Sequence, residues 1–233
     1  MADLALTDSQ PLYLITDGGR LRNDGALFRK LAAALRGGQG RLAYVQLREQ
    51  IERPGYDPAE DEEVKRLALE LIPLCHSFGA GLIISHRLDL AQDVRADGVH
   101  LPGTALKKLP EVRELLGRER VLGYSAHAAD EAIEAFSGGA SYVLFGPVFA
   151  PLSKESSASS LGPAAVEQIP LQLRTHVFAL GGVSAQNAYA CREAGFGGVA
   201  SITSVLGAED PCLAVGELLT AWDGKTWMEK TER

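Results

Sequence analysis

The chain has 233 residues, 46% of them hydrophobic, and a formal net charge of −7 at pH 7. That length suits one domain over 1–233. The acidic balance argues against nucleic acid or an anionic membrane surface as the main partner, while a small anionic ligand reads only a local site. Cys75, Cys191 and Cys212 form no C-x-x-C pair and no zinc spacing, so reduced thiols in a cytoplasmic protein are expected. The opening "MADLALTDSQ" lacks the features of a secretory signal, and no apolar run reaches membrane-spanning length.

Short apolar runs alternate with amphipathic ones. "PLYLIT" (11–16) reads as a strand, and 24–38 reads as a helix with apolar residues at 27, 28, 31 and 35. "AYVQLR" (43–48) is a second strand. A long helix follows over 58–78, with Pro58 and acidic residues at its start and Pro73 as a kink or a split. "LIIS" (82–85) leads to a helix near 88–94 and the strand "GVHL" (98–101). Helix 105–116 leads to strand 121–124, and helix 128–137 to strand 141–146. Helix 163–173 leads to strand 177–180, helix 185–194 to strand 198–202, and a last helix covers 211–222. Eight strand–helix units predict an α/β fold of the (β/α)8 TIM-barrel class.

In such barrels the chemistry sits at the C-terminal ends of the strands. Gln46 and Arg48 share one face of the second strand. Arg48 reads as a guanidinium clamp for carboxylate or phosphate; a strand-end ion pair with Glu49 or Asp17 is the plainer alternative. The third strand ends in Ser85, His86 and Arg87, the fourth holds His100, and the fifth runs into Ser125 and His127. Because imidazole as a group titrates near neutrality, His86 and His127 are candidate proton carriers. His127 also stands at the start of a helix and so can belong to its cap. His100, inside a strand, reads as a hydrogen-bonded interior residue. Ser153 and Lys154 stand in a Ser-rich loop, where Lys154 is either a ligand contact or a solvated lysine. Gly181 and Gly182 follow the seventh strand, where this architecture usually binds phosphate, and Ser201 closes the eighth. Ser184 reads as the cap of the next helix.

"LYLITD", "VQLREQ", "LIISHRLDLAQDVRADGVHLPG", "LGYSAH", "SYVLFGPVFAPLSK" and "VFALGGVSAQNAYACREAGFGGVASI" occur in this order over residues 11 to 206. The set resembles the thiamine-phosphate synthase superfamily, which also contains thiazole tautomerases. The resemblance implies a (β/α)8 barrel and a small phosphorylated thiazole as substrate. Synthases join a pyrimidine pyrophosphate to a thiazole phosphate, and Mg2+ helps pyrophosphate leave.

Several positions depart from the synthase pattern. Gln50 replaces a lysine, and Ser85-His86 stand where Asn-Asp is usual. Pro102 and Ala105 replace a glycine and an aspartate, and Pro151-Leu152-Ser153-Lys154 replace Thr-x-Thr-Lys. Magnesium needs hard oxygen ligands, and His86 is a poor substitute. The loss points to the tautomerase branch. In that branch no metal or other cofactor is expected, His127 is the base, and Ser125 and Arg48 position the substrate. Gln46, Ser85, His86, Ser153, Lys154, Gly181, Gly182 and Ser201 would bind it. The alternatives are a thiamine-phosphate synthase, with a carboxylate such as Asp17 or Asp97 rescuing the Mg2+ site, and a non-catalytic binder of thiazole or thiamine phosphate. The sequence also allows a homo-oligomer.

Overall fold

A computed structural model describes residues 9–16, 25–48, 59–150 and 160–225. Eight parallel strands close a barrel in sequence order. They are β1 (Leu12–Ile15), β2 (Leu42–Leu47), β3 (Gly81–Ser85), β4 (Gly98–Leu101), β5 (Val121–Ala126), β6 (Tyr142–Phe145), β7 (Val177–Ala179) and β8 (Gly198–Ser201). The ring closes where Tyr13 of β1 pairs with Ala200 of β8. The (β/α)8 expectation is met.

Around the barrel lie α1 (Ala26–Gly38), α2 (Ala59–Ser77), α3 (Leu88–Asp93), α4 (Leu109–Leu116), α5 (Ala129–Ser137), α6 (Leu171–Arg174), α7 (Ala188–Ala194), α8 (Thr203–Leu206) and α9 (Pro211–Trp222). The 3.6-residue period accounts for α1: Leu27, Leu31, Ala34 and Leu35 form its buried stripe. Pro73 neither splits nor ends α2. Its missing N–H leaves the carbonyl of residue 69 without a helical partner, and Leu69 is 58% exposed, so water can take that bond.

Two expected helices differ from the sequence reading. The segment leading into α4 is a 3-10 turn over Gly103–Lys108. The segment expected over 163–173 is a 3-10 turn over Pro163–Gln168 followed by the single turn α6. Pro170 forces Ile169 into an extended conformation (ψ 136°) and divides the two.

Strand alternation sorts the core into two parts. Leu14, Val45, Leu82, Val99, Leu122, Val143 and Val199 face the helices. Tyr13, Tyr44, Ile83, Tyr142, Leu144 and Phe178 fill the barrel interior. The ring centroids of Tyr13 and Tyr142 are 5.3 Å apart, and those of Tyr44 and Tyr142 are 5.6 Å apart. Inward-facing glycines provide the room for these rings. A Cβ on Gly198 would come within 2.6 Å of the Phe178 ring, and one on Gly123 would overlap the Tyr142 hydroxyl.

Polar clamps hold the N-terminal end of the barrel. Arg113 donates to the carbonyls of Gly117, Arg120 and Gly139 and to the Ser141 hydroxyl. Arg41 makes a two-pronged pair with Asp223 at 2.9 and 2.8 Å. Cys75 and Cys191 are buried free thiols, whereas Cys212 is only partly buried. Among the described residues, no helix is long and apolar enough to cross a membrane.

Candidate active site

Register sets the rim. Ser85 pairs with His100, His100 with Gly123, and Ser125 with Leu144. The inward face therefore brings Gln46, Ser85, His100 and Ser125 together at the C-terminal ends of β2 to β5. These groups are joined by hydrogen bonds. Gln46 is buried and donates through Nε2 to Ser85 Oγ. Its Oε1 accepts from the Tyr13 hydroxyl at 3.0 Å. The Tyr13 and Tyr142 hydroxyls are 2.6 Å apart. Tyr142 reaches His100 Nδ1 at 3.0 Å, and His100 Nε2 reaches Ser125 Oγ at 2.8 Å.

Burial pushes the His100 imidazole down to about 3, with the electrostatic effects of the nearby His86 and Arg48 acting in the same direction. Burial likewise raises both tyrosines well above their ordinary value. All three side chains are therefore neutral near pH 7. His100 is the interior, hydrogen-bonded residue expected from its strand position. Tyr13 and Tyr142 are the groups that sequence reasoning missed. Period two places them inside the barrel, but their pairing spans 129 residues of chain.

The segment after β3 sends its three polar residues in different directions. Ser85 faces inward. His86 is exposed and left-handed (φ 62°), and its N–H bonds the His100 carbonyl at 2.8 Å. Arg87 faces the helical layer and grips both Asp61 and Asp89, at 2.8 and 2.6 Å. The Arg87 guanidinium holds the Asp89 carboxyl below its usual range. Asp97, a possible substitute metal ligand, lies at the opposite end of the barrel. There it accepts from the Leu82 N–H at 2.7 Å and bonds His76.

Arg48 follows β2, with its N–H donated to Thr16 Oγ1 at 2.8 Å. Its proposed ion-pair partners Asp17 and Glu49, like Gln50, lie outside the described residues. Ser153 and Lys154 also lie outside them. His127 takes the cap position that is one of its two readings. Its backbone N–H is accepted by Glu131 in the first turn of α5, at 2.8 Å. Its ring Nδ1 sits 2.6 Å from the Gly146 carbonyl. A carbonyl only accepts, so Nδ1 carries the proton in that contact. Nε2 stands beside Gly103.

Gly181 (φ 95°) and Gly182 (φ 62°) let the loop after β7 pass under the segment after β6. A Cβ on Gly181 would lie 2.7 Å from Pro147, and one on Gly182 would overlap the Ala150 carbonyl. Neither glycine N–H donates to a backbone carbonyl among the described residues. Asn187 braces this loop: its Oδ1 accepts from the Ser184 N–H and its Nδ2 donates to the Gly182 carbonyl, both at 2.9 Å. Asn187, not Ser184, is the residue that immediately precedes α7. Ser201, at the end of β8, bonds Ser204 at 2.7 Å.

Magnesium, implied by the synthase resemblance, would be held by the segments that follow β3 and β4. Positions 86 and 105 carry His and Ala. Among the described residues, no group of three His, Cys, Asp or Glu is placed to hold an ion. Those residues do not fit a carboxylate-held Mg2+.

Comparison with known proteins identifies the family. The family model described as thiamine monophosphate synthase matches residues 12–205. The chain is similar to the thiamine-phosphate synthase of Desulfitobacterium hafniense strain Y51, at 37% identity over 91% of this chain and 96% of that one. It is equally similar to that of Chlorobium luteolum, at 37% over 89% and 91%. Among solved structures it resembles a thiamine phosphate pyrophosphorylase from Pyrococcus furiosus. The TM-score is 0.73 and the identity 27%, covering 93% of this chain and 97% of that one. A 3-hexulose-6-phosphate synthase, at 16% identity and TM-score 0.56, shares the fold alone.

These likenesses overturn the expectation of a thiazole tautomerase. That reading rested on a few rim positions, chiefly 86 and 105, whereas the likeness to synthases extends over 213 residues. Substituted ligands at two strand ends change how a site is held, but they do not move a whole chain to another branch. A barrel with a polar C-terminal rim and whole-chain similarity to synthases leads to one conclusion: the chain is an enzyme of the thiamine monophosphate synthase family.

Proposed function

We propose that the chain is a thiamine-phosphate synthase, joining a pyrimidine pyrophosphate to a thiazole phosphate with release of pyrophosphate. The observation that carries this reading is the 37% identity to a named synthase across 91% of the chain. In the reaction the bond from the pyrimidine methylene to pyrophosphate breaks. The thiazole nitrogen supplies the electron pair for the new bond to that methylene. Positive charge builds on the pyrimidine, and negative charge builds on the leaving group.

The rim residues suit those charges. Arg48 supplies a fixed cation for the departing pyrophosphate, and its field already reaches His100. The N–H groups of Gly181 and Gly182 receive the thiazole phosphate, with the Ser201–Ser204 pair at the next strand end. Ser125 and Ser85 offer hydroxyls beneath the reacting atoms. His127, tied to Gly146, closes the side of the pocket next to Gly103. No step is assigned to a metal.

The test is to incubate the enzyme with both substrates, with and without magnesium, and to follow thiamine phosphate. The expected result is turnover, reduced roughly 100-fold or more in kcat/KM for the pyrimidine pyrophosphate in Arg48→Ala, an anion-stabilising loss of about 3 kcal/mol. No thiamine phosphate under either condition contradicts the proposal.

A further inference from the structure

We propose that Gln46, Tyr13, Tyr142 and His100 form a one-directional hydrogen-bond chain that fixes Ser125 as an acceptor and Ser85 as a donor toward the pocket. The argument is a count of protons. The Gln46 carbonyl oxygen only accepts, so the single hydroxyl proton of Tyr13 is used there. The contact between the two tyrosine oxygens then needs the proton of Tyr142. With that proton used, His100 must donate from Nδ1 to Tyr142. A neutral imidazole protonated on Nδ1 has a bare Nε2, so Ser125 donates to it. The Ser125 proton is thus held inside the barrel, and its oxygen lone pairs remain for the ligand. At the other end Ser85 Oγ accepts from Gln46 Nε2, which leaves its own proton to donate.

The chain has one alternative state. Turning the Gln46 amide by 180° reverses every bond in it, because each hydroxyl and the imidazole can exchange roles. Gln46 turns Oε1 toward the Tyr13 hydroxyl and Nε2 toward Ser85, which gives the stated direction. Ser125 lies two residues beyond Gly123, the register partner of His100, so Nε2 faces the rim. Burial also keeps the imidazole neutral, so that its two nitrogens stay distinct.

This inference deepens the synthase reading and rests on it for its consequence. An acceptor oxygen suits a pyrimidine that becomes positive, whereas a hydroxyl proton at the same place would oppose it. Gln46, Tyr13, Tyr142 and His100 are positioning residues; Ser85 and Ser125 are the groups that meet the substrate.

The test reads the tautomer directly. Side-chain 15N NMR of histidine in the ligand-free enzyme is expected to show His100 neutral and protonated on Nδ1 from pH 5 to 8. In Tyr13→Phe and, separately, in Gln46→Leu, the downstream protons lose their direction, and His100 is expected to move to the Nε2-protonated form. In Tyr13→Phe the kcat should fall about tenfold or more, with KM for the thiazole phosphate within about twofold of wild type, as for a contact made in the transition state. An Nε2-protonated His100 in the wild type, or an unchanged tautomer in whichever variant folds, overturns the proposal. Because the tautomer is measured without substrate, failure of the synthase reading would appear separately, as absence of thiamine phosphate.

Discussion

His100 carries a consequence that unfolding can measure. Its imidazole sits near 3 in the fold, against 6.5 as the ordinary value, because burial disfavours the cation. The unfolded chain therefore binds the additional proton, and stability is complete above about pH 6.5 and is lost as pH falls toward 3. Between pH 7 and pH 5 this group alone removes about 2 kcal/mol. Urea titrations of wild type and His100→Gln at both pH values should differ in their pH dependence by about that amount. Equal pH dependence would contradict the neutral buried imidazole. The residue is also a measure of what the sequence reveals. Its interior position follows from strand period alone. Its partners do not, because Tyr13 and Tyr142 meet only when β1 and β6 face each other across a closed barrel. Similarly, "SHR" (85–87) reads in sequence as one polar cluster. The left-handed turn at His86 (φ 62°) instead turns Ser85 inward and Arg87 toward the helices.

At the scale of elements, strand pairing depends on small residues opposite large ones. Gly123 faces Tyr142 and His100, and a methyl group there would overlap the Tyr142 hydroxyl and His100 Nδ1. Gly123→Ala should cost roughly 1–3 kcal/mol, the usual range for overpacking, visible as a lower melting temperature. It should also disturb the His100 tautomer, whereas Gly117→Ala at an open surface turn should leave the tautomer unchanged. Arg113 provides a second case: it satisfies three carbonyls and a hydroxyl from the loops before β5 and β6. Arg113→Met should destabilise by about 2 kcal/mol or more, because those acceptors lose their donor; a change below about 0.5 kcal/mol by chemical denaturation would contradict the clamp. All eight strands were legible as short apolar runs, and α9 was legible to the residue. The 3-10 turns at Gly103–Lys108 and Pro163–Gln168 were not, because apolar periodicity does not separate a 3-10 turn from the first turns of an α-helix.

For the whole molecule, the order of strands and the closure of β1 on β8 bring distant polar residues onto one rim. The barrel and the rim were both legible from the succession of units. The branch is not legible from the rim alone, because substitutions at positions 85, 86 and 105 point away from a synthase while the remaining length of the chain resembles one. The described structure accounts for those substitutions in part: Ser85 joins Gln46, His86 lies outside on a left-handed turn, and Ala105 is buried in the 3-10 turn. The most direct test of the account is the stoichiometry of a single reaction mixture. Purified enzyme is supplied with pyrimidine pyrophosphate and thiazole phosphate, and both products are quantified. The account predicts thiamine phosphate and pyrophosphate in equal amounts, rising together with time. Pyrophosphate release without thiamine phosphate, or no release of either, would contradict it.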